Sequence, residues 1–167
     1  MDATRTSDAT AERTSDQDLM VTRTINGPAR LVWDAWTRRD LFKRWWSPKS
    51  FPITLLSCEM DARVGGRYRL EFGFQDSTFE FFGRYVEVTP PSRLVWTNDE
   101  DEAAPVSTAT FEETNGRTLV VVRERYPSKE ALDEAIASGS SGMSGLPEQL
   151  TQLDDLVATM DVGSAAS

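Results

Sequence analysis

Apolar and polar positions alternate along this chain in two rhythms, and the changes of rhythm mark its elements. In DLMVTRTING, Leu19, Val21 and Arg23 alternate with Met20, Thr22 and Thr24 until Asn26-Gly27. A period of two predicts a first strand there. PARLVWDAWT then changes to helical spacing, with Leu31, Val32, Ala35 and Trp36 on one stripe, Trp33 off it and Pro28 at its start. RRDLFKRWW predicts a second short helix: Leu41/Trp45 and Phe42/Trp46 are i, i+4 pairs, and Pro48 ends it.

From Ile53 to Tyr126 the period returns to two. ITLLSCEM, RYRLEFGF, TFEFFGRYVEV, RLVWTN, VSTATFEE and RTLVVVRERY read as six strands. RYRLEFGF puts Tyr68, Leu70, Phe72 and Phe74 on one face and Arg67, Arg69 and Glu71 on the other. Gly83 inside a strand predicts a bulge or tight bend. Thr114-Asn115-Gly116 predicts a hairpin, because Asn-Gly tolerates the positive φ of its turn. After Pro127, SKEALDEAIASG predicts a short helix capped by Ser128, and GSSGMSG a link. In LPEQLTQLDDLVATM, Leu146, Leu150, Leu153, Val157 and Met160 form one continuous apolar stripe, which predicts a long helix.

The order β-α-α-β6-α-α predicts an α+β fold: a curved antiparallel sheet of about seven strands, one face covered by helices. A curved sheet wrapped on a long helix leaves a space between them unless large side chains fill it. Residues 1–17 are polar with almost nothing to bury, and are expected to be a mobile tail. Residues 18–160 form the domain and 161–167, DVGSAAS, a second tail.

Composition narrows the chemistry. The 167 residues suit one domain, which buries roughly 70% of its unfolded surface. No apolar run reaches membrane-spanning length, and the N-terminus lacks the apolar core of a secretory signal. One cysteine, Cys58, allows no internal disulfide, so the cytoplasm is the expected location. A net charge of −9 is the wrong sign for nucleic acid. Histidine is absent, which removes His-dependent nucleophiles, His general bases and His zinc sites. No cofactor or metal is expected. The acidic run Asp99-Glu100-Asp101-Glu102 has no glycine-shaped frame and reads as a solvated loop. Asp61, Arg63, Gly65 and Gly66 read as a structural turn.

Six segments together resemble a known family: VTRTINGPARLVWDAWT, WWSP, EMDARVGGRYRLEF, GRYVEVTPPSRLVWT, TATFEETNGRTLVVV and SGMSGLPEQLTQLDDLV. They are similar, in order and over about Asp18 to Met160, to the AHSA-like branch of the START-like superfamily. That branch comprises homologues of the activator of heat-shock protein 90 ATPase, grouped as SRPBCC or polyketide-cyclase-like proteins. The resemblance implies a helix-grip fold, in which a curved sheet surrounds a long C-terminal helix, and an internal cavity for apolar or amphipathic molecules. Two positions depart from it: Leu146-Pro147 follows Gly145 where Trp is common, and Arg123 stands where many members carry a cavity-facing His.

On this reading the cavity walls come from Trp45, Trp46, Tyr68, Leu70, Phe72, Phe74, Trp96, Val121, Leu150 and Leu153. Arg123 shares strand parity with Leu119 and Val121, so it is expected to point inward. There it would either pair with Glu71 or Glu80 or anchor a ligand carbonyl, enol or carboxylate. The adjacent Trp45 and Trp46 cannot share one contact, so one packs in the core while the other plugs or lines the cavity. No catalytic residue is assigned. The leading expectation is binding of a small apolar or amphipathic ligand. The alternatives are cofactor-independent cyclisation, dehydration or hydrolysis of a carbonyl compound, and a chaperone-regulating interaction module. A chaperone partner is disfavoured because an isolated acidic domain has no second module to work with; a homodimer stays open.

Overall fold

The computed structural model describes residues 11–99, 104–138 and 145–166, with side chains as far as Met160. The expectations for residues 1–10, for acidic positions 100–102 and for the link at 139–144 lie outside the described residues.

Eight strands form one antiparallel sheet: β1 (Ala11–Arg13), β2 (Asp18–Ile25), β3 (Thr54–Met60), β4 (Arg67–Phe74), β5 (Ser77–Thr89), β6 (Arg93–Trp96), β7 (Val106–Thr114) and β8 (Arg117–Arg125). Their order across the sheet is β1-β2-β8-β7-β6-β5-β4-β3. Helices α1 (Ala29–Thr37) and α2 (Arg39–Phe42) carry the chain from β2 to the far edge, and α3 (Lys129–Ser138) and α4 (Leu146–Ala166) end it. This is the α+β helix-grip arrangement, with one strand more than the seven expected.

The extra strand is β1, inside the segment expected to be a mobile tail. All three of its residues are exposed, so no apolar alternation betrays it. Polar contacts hold it instead. It pairs with β2 from Ala11↔Val21 to Arg13↔Leu19, and Arg13 reaches Asp133 of α3 at 2.8 Å. The following residues are tied as well: the Ser15 hydroxyl donates to Asp18 at 2.6 Å and the Tyr126 N–H to the Gln17 carbonyl at 2.8 Å. The ordered domain therefore starts before position 18. At the other end α4 runs on to Ala166 instead of stopping at Met160.

The core lies between the inner face of the sheet and helices α1 and α4. Leu150, Leu153 and Val157 are fully buried, as the α4 stripe requires. Each such side chain contributes roughly 1.5–3 kcal/mol by leaving water. Polar contacts fix the helix to β2: Arg23 reaches Asp154 at 3.2 Å, and Asp154 also accepts the Asn26 N–H at 2.9 Å. At the start of α1 the Ala29 N–H donates to the Glu113 carboxylate at 2.9 Å, a favourable charge for a helix N-terminus. Helix α2 closes after Phe42, shorter than the nine-residue pattern suggested, and turns carry the chain to Trp46.

The β7–β8 hairpin turns at Asn115 (φ 55°) and Gly116 (φ 80°), as the Asn-Gly signal predicts. Gly83 is needed for close approach: a Cβ there would lie 1.9 Å from the Thr97 carbonyl oxygen. A bulge follows, between Tyr85 and Glu87.

Candidate functional site

Residues opposite one another in an antiparallel pair share a face of the sheet. Leu19, Glu124, Ser107, Trp96 and Tyr85 therefore make one inward row across β2, β8, β7, β6 and β5. Beyond it, Tyr68, Leu70 and Phe72 of β4 continue the inner surface, and Phe81 pairs with Leu70. The helices close over only part of this surface. Between them and the sheet is a cavity of about 540 Å³, inside the range of about 300–1,000 Å³ usual for small-molecule sites.

Aromatic rings are prominent in the wall: Trp36, Phe42, Trp46, Tyr68, Phe72 and Trp96 all border the space. Trp36 is the hub, with ring centroids 4.9 Å from Trp45, 6.0 Å from Trp46 and 5.6 Å from Trp96. Trp46 stacks on Phe42 at 4.7 Å. The segment after Trp46 contributes Pro48, Phe51 and Ile53, with Phe51 44% exposed at the rim.

Helix α4 holds that segment through two glutamines. The Gln152 amide donates to the carbonyls of Trp45 and Ser47, each at 2.9 Å, and its oxygen accepts the Lys49 N–H at 2.8 Å. Gln149 donates to the Trp46 carbonyl, and Glu148 accepts from the Ser50 N–H at 2.9 Å. The tryptophan pair is thus set in place by polar side chains one helical turn apart.

The adjacent tryptophans divide as their geometry demands. Trp45 is fully buried and its indole N–H donates to the Ala35 carbonyl at 2.9 Å. It does not border the cavity; Trp46 does.

The other expected wall residues are distributed as follows. Tyr68, Leu70, Phe72 and Trp96 border the space. Leu150 and Leu153 lie wholly in the core behind it. Phe74 shares the face of Phe72 but lies at the end of β4 and is 37% exposed. Val121 and Arg123 require correction. Thr118, Val120 and Val122 are the buried residues of β8, so Val121 and Arg123 are on the outer face, and Arg123 is exposed. It pairs with neither Glu71 nor Glu80; Glu80 bonds Arg69 and Glu71 accepts from Ser57.

The inward residue at that end of β8 is Glu124. The Tyr126 hydroxyl donates to its Oε1 at 3.1 Å, and Ser107 lies opposite on β7. Burial in this apolar setting pushes the Glu124 carboxyl from 4.5 up to about 7, and the Tyr126 bond only partly opposes that rise. Glu124, Ser107, Asn98, Tyr126, Glu134 and Gln149 contribute polar groups to the lining. Of these only Tyr126, whose hydroxyl could serve a polar ligand group, was a candidate from the sequence. Burial also pushes the phenol of Tyr85, another lining residue, upward, and the Cys58 thiol in the sheet up to about 11.

A turn between β3 and β4 has its own rationale. A Cβ on Gly66 would lie 2.0 Å from the Asp61 carbonyl oxygen, and Gly65 has φ 82°. The Gly65 N–H and Gly66 carbonyl bond the backbone of Tyr85, each at 2.9 Å, so the turn braces the cavity wall. Among the described residues no group of three or more acidic or thiol side chains is placed to hold a metal ion.

The sequence profile of the family described as "Activator of Hsp90 ATPase homolog 1-like protein" matches residues 26–158. The chain belongs to this family. It is thereby an AHSA-like member of the START-like, or SRPBCC, superfamily. No curated protein matches it. Solved structures share the fold. A protein from Nitrosomonas europaea is 23% identical with a TM-score of 0.78, covering 90% of this chain and 99% of its own. An AHSA1-like protein from Aeromonas hydrophila is 20% identical with a TM-score of 0.65, covering 85% and 94%. A protein from Chromobacterium violaceum is 29% identical with a TM-score of 0.66, covering 84% and 96%. No described helix is long and apolar enough to cross a membrane.

Proposed function

We propose that this AHSA-like protein binds a small apolar or amphipathic molecule between its sheet and its helices. The observation that carries the reading is the space of about 540 Å³ bordered by ten aromatic side chains, with a few polar groups gathered at Glu124. Apolar walls supply affinity and a few convergent polar groups set orientation. Trp36, Trp46 and Trp96 border the space, so an occupant quenches indole emission.

The test is titration with the neutral dye N-phenyl-1-naphthylamine. One dye binds per chain, and tryptophan emission falls with dye occupancy. Ala131→Phe, which adds bulk to the lining from α3, weakens binding while circular dichroism stays native. A folded sample that shows no saturable dye binding overturns the reading.

Glu124 favours a second reading, acid–base chemistry on a bound carbonyl compound. A carboxyl titrating near neutrality beside a tyrosine hydroxyl is suited to proton abstraction. Arg123 has no part in it, being on the outer face. Deuterium exchange at the α-carbons of 2-decanone, catalysed by the wild type and lost in Glu124→Gln, supports it. Equal exchange with and without protein removes it.

A further inference from the structure

Among the described residues only two charged side chains border the cavity, and both are acids: Glu124 from β8 and Glu134 from α3. No Lys or Arg among the described residues lines it. The internal segments outside the described residues, 100–103 and 139–144, contain neither residue type. Glu124 accepts from Tyr126 through one oxygen, and neither it nor Glu134 forms an ion pair with a described residue.

An anionic headgroup brought into this space has no cation to meet and faces a carboxylate in a water-poor setting, which is costly for both charges. An ammonium group has the opposite balance: it gives Glu124 a charge-assisted hydrogen bond and compensates a carboxylate that is otherwise unpaired. The whole chain adds to this, since a net charge of −9 raises the local concentration of cations.

We infer that the cavity selects cationic amphiphiles, an apolar body bearing a protonated amine, and discriminates against fatty acids and other anionic lipids. The inference rests on the ligand-binding reading above and adds the charge of the ligand to it. Glu124 is the specificity-determining residue. Its surroundings contain nothing that reverses the sign: Leu19 flanks it on β2, Ser107 on β7, Tyr126 follows just past the end of its strand, Glu134 borders the cavity from α3 and Gln149 from α4. Titration of Glu124 couples the preference to pH, because the protonated carboxyl no longer pairs with an ammonium.

The test displaces N-phenyl-1-naphthylamine with three ligands of one chain length, decylamine, decanol and decanoate, at pH 8 and below their micellar concentrations. Decylamine displaces the dye at a concentration at least tenfold below that of decanoate, with decanol between them. Glu124→Gln brings decylamine to within threefold of decanol. Glu134→Gln, at an exposed position, gives a smaller shift in the same direction. At pH 5.5 the wild-type preference for decylamine over decanol shrinks as in Glu124→Gln. Decanoate binding as tightly as decylamine overturns the inference and leaves the cavity reading standing if decanol displaces the dye. Failure of all three ligands to displace the dye removes both.

Discussion

The Tyr126 hydroxyl donates to Glu124 Oε1 over 3.1 Å, inside a cavity whose other walls are mostly hydrocarbon and aromatic rings. That bond lowers the carboxyl's affinity for its proton, burial raises it, and burial wins.

Stability should carry the signature of Glu124. Its folded value of about 7 exceeds the ordinary 4.5, so the folded chain holds this proton more tightly than the unfolded chain. The resulting stabilisation is full below about pH 4.5 and is lost as pH rises through about 7. The loss is on the order of 3 kcal/mol over that window. Urea unfolding of wild type and Glu124→Gln at pH 4.5, 6 and 8 isolates it. The wild type loses stability relative to the variant as pH rises; a constant difference between the two would mean that Glu124 titrates as an ordinary carboxyl.

Gln152 links α4 to the tryptophan pair and is itself buried. Gln152→Ala leaves the carbonyls of Trp45 and Ser47 and the Lys49 N–H without this partner. The expected cost is about 2–3 kcal/mol in unfolding free energy, together with a red shift of tryptophan emission as the 45–53 segment loosens. Native stability in the variant would show that water replaces the amide without loss.

Trp45 and Trp46 should separate in experiment as they do in space. Trp45→Phe deletes the bond to the Ala35 carbonyl and thins a fully buried ring cluster, at a cost of about 1–3 kcal/mol with dye affinity little changed. Trp46→Leu alters the cavity wall, so dye affinity and quenching fall more than stability does. The reverse pattern would exchange their assigned roles.

Arg123→Leu should do almost nothing to the fold or to the cavity. The residue is exposed on the outer face of β8, where substitutions stay within about 0.5 kcal/mol. Dye binding equal to the wild type is expected; a large loss of binding would place Arg123 at the site after all.

Gly83→Ala tests the close approach of β5 to the chain after β6. The added methyl meets the Thr97 carbonyl oxygen, and either the bulge shifts or the pairing opens. A loss of about 1–3 kcal/mol is expected, as for other overpacked sites. Thermal melting of the variant measures it, and an unchanged midpoint would mean the backbone there is free to adjust.

The strands, the helices and the Asn115-Gly116 turn were legible in the sequence because each rests on local rules: period, turn chemistry and capping. The α4 stripe was equally legible, since a single long amphipathic helix has one way to bury its apolar side. Strand β1 was not, because its residues are polar and its partner and its salt bridge to Asp133 are remote in sequence.

The face of β8 shows where local pattern stops. Leu119, Val120, Val121 and Val122 are all apolar, so alternation gives no choice between Arg123 and Glu124 as the inward residue. The deciding information was nevertheless in the chain. Ala109 and Phe111 set the inner face of β7, and the Asn-Gly hairpin pairs Phe111 with Val120 and Ser107 with Glu124. What the sequence by itself determined is thus the list of elements apart from β1, the AHSA-like fold and the absence of histidine chemistry. Tertiary structure decided which side of each strand meets the helices, because facing is a property of pairing between strands rather than of any one of them. It also decided how far the helices reach across the curved sheet. That reach, falling short of Glu124 and of Tyr68, Phe72 and Trp96 on the sheet, is what leaves a cavity and gives it an acidic lining.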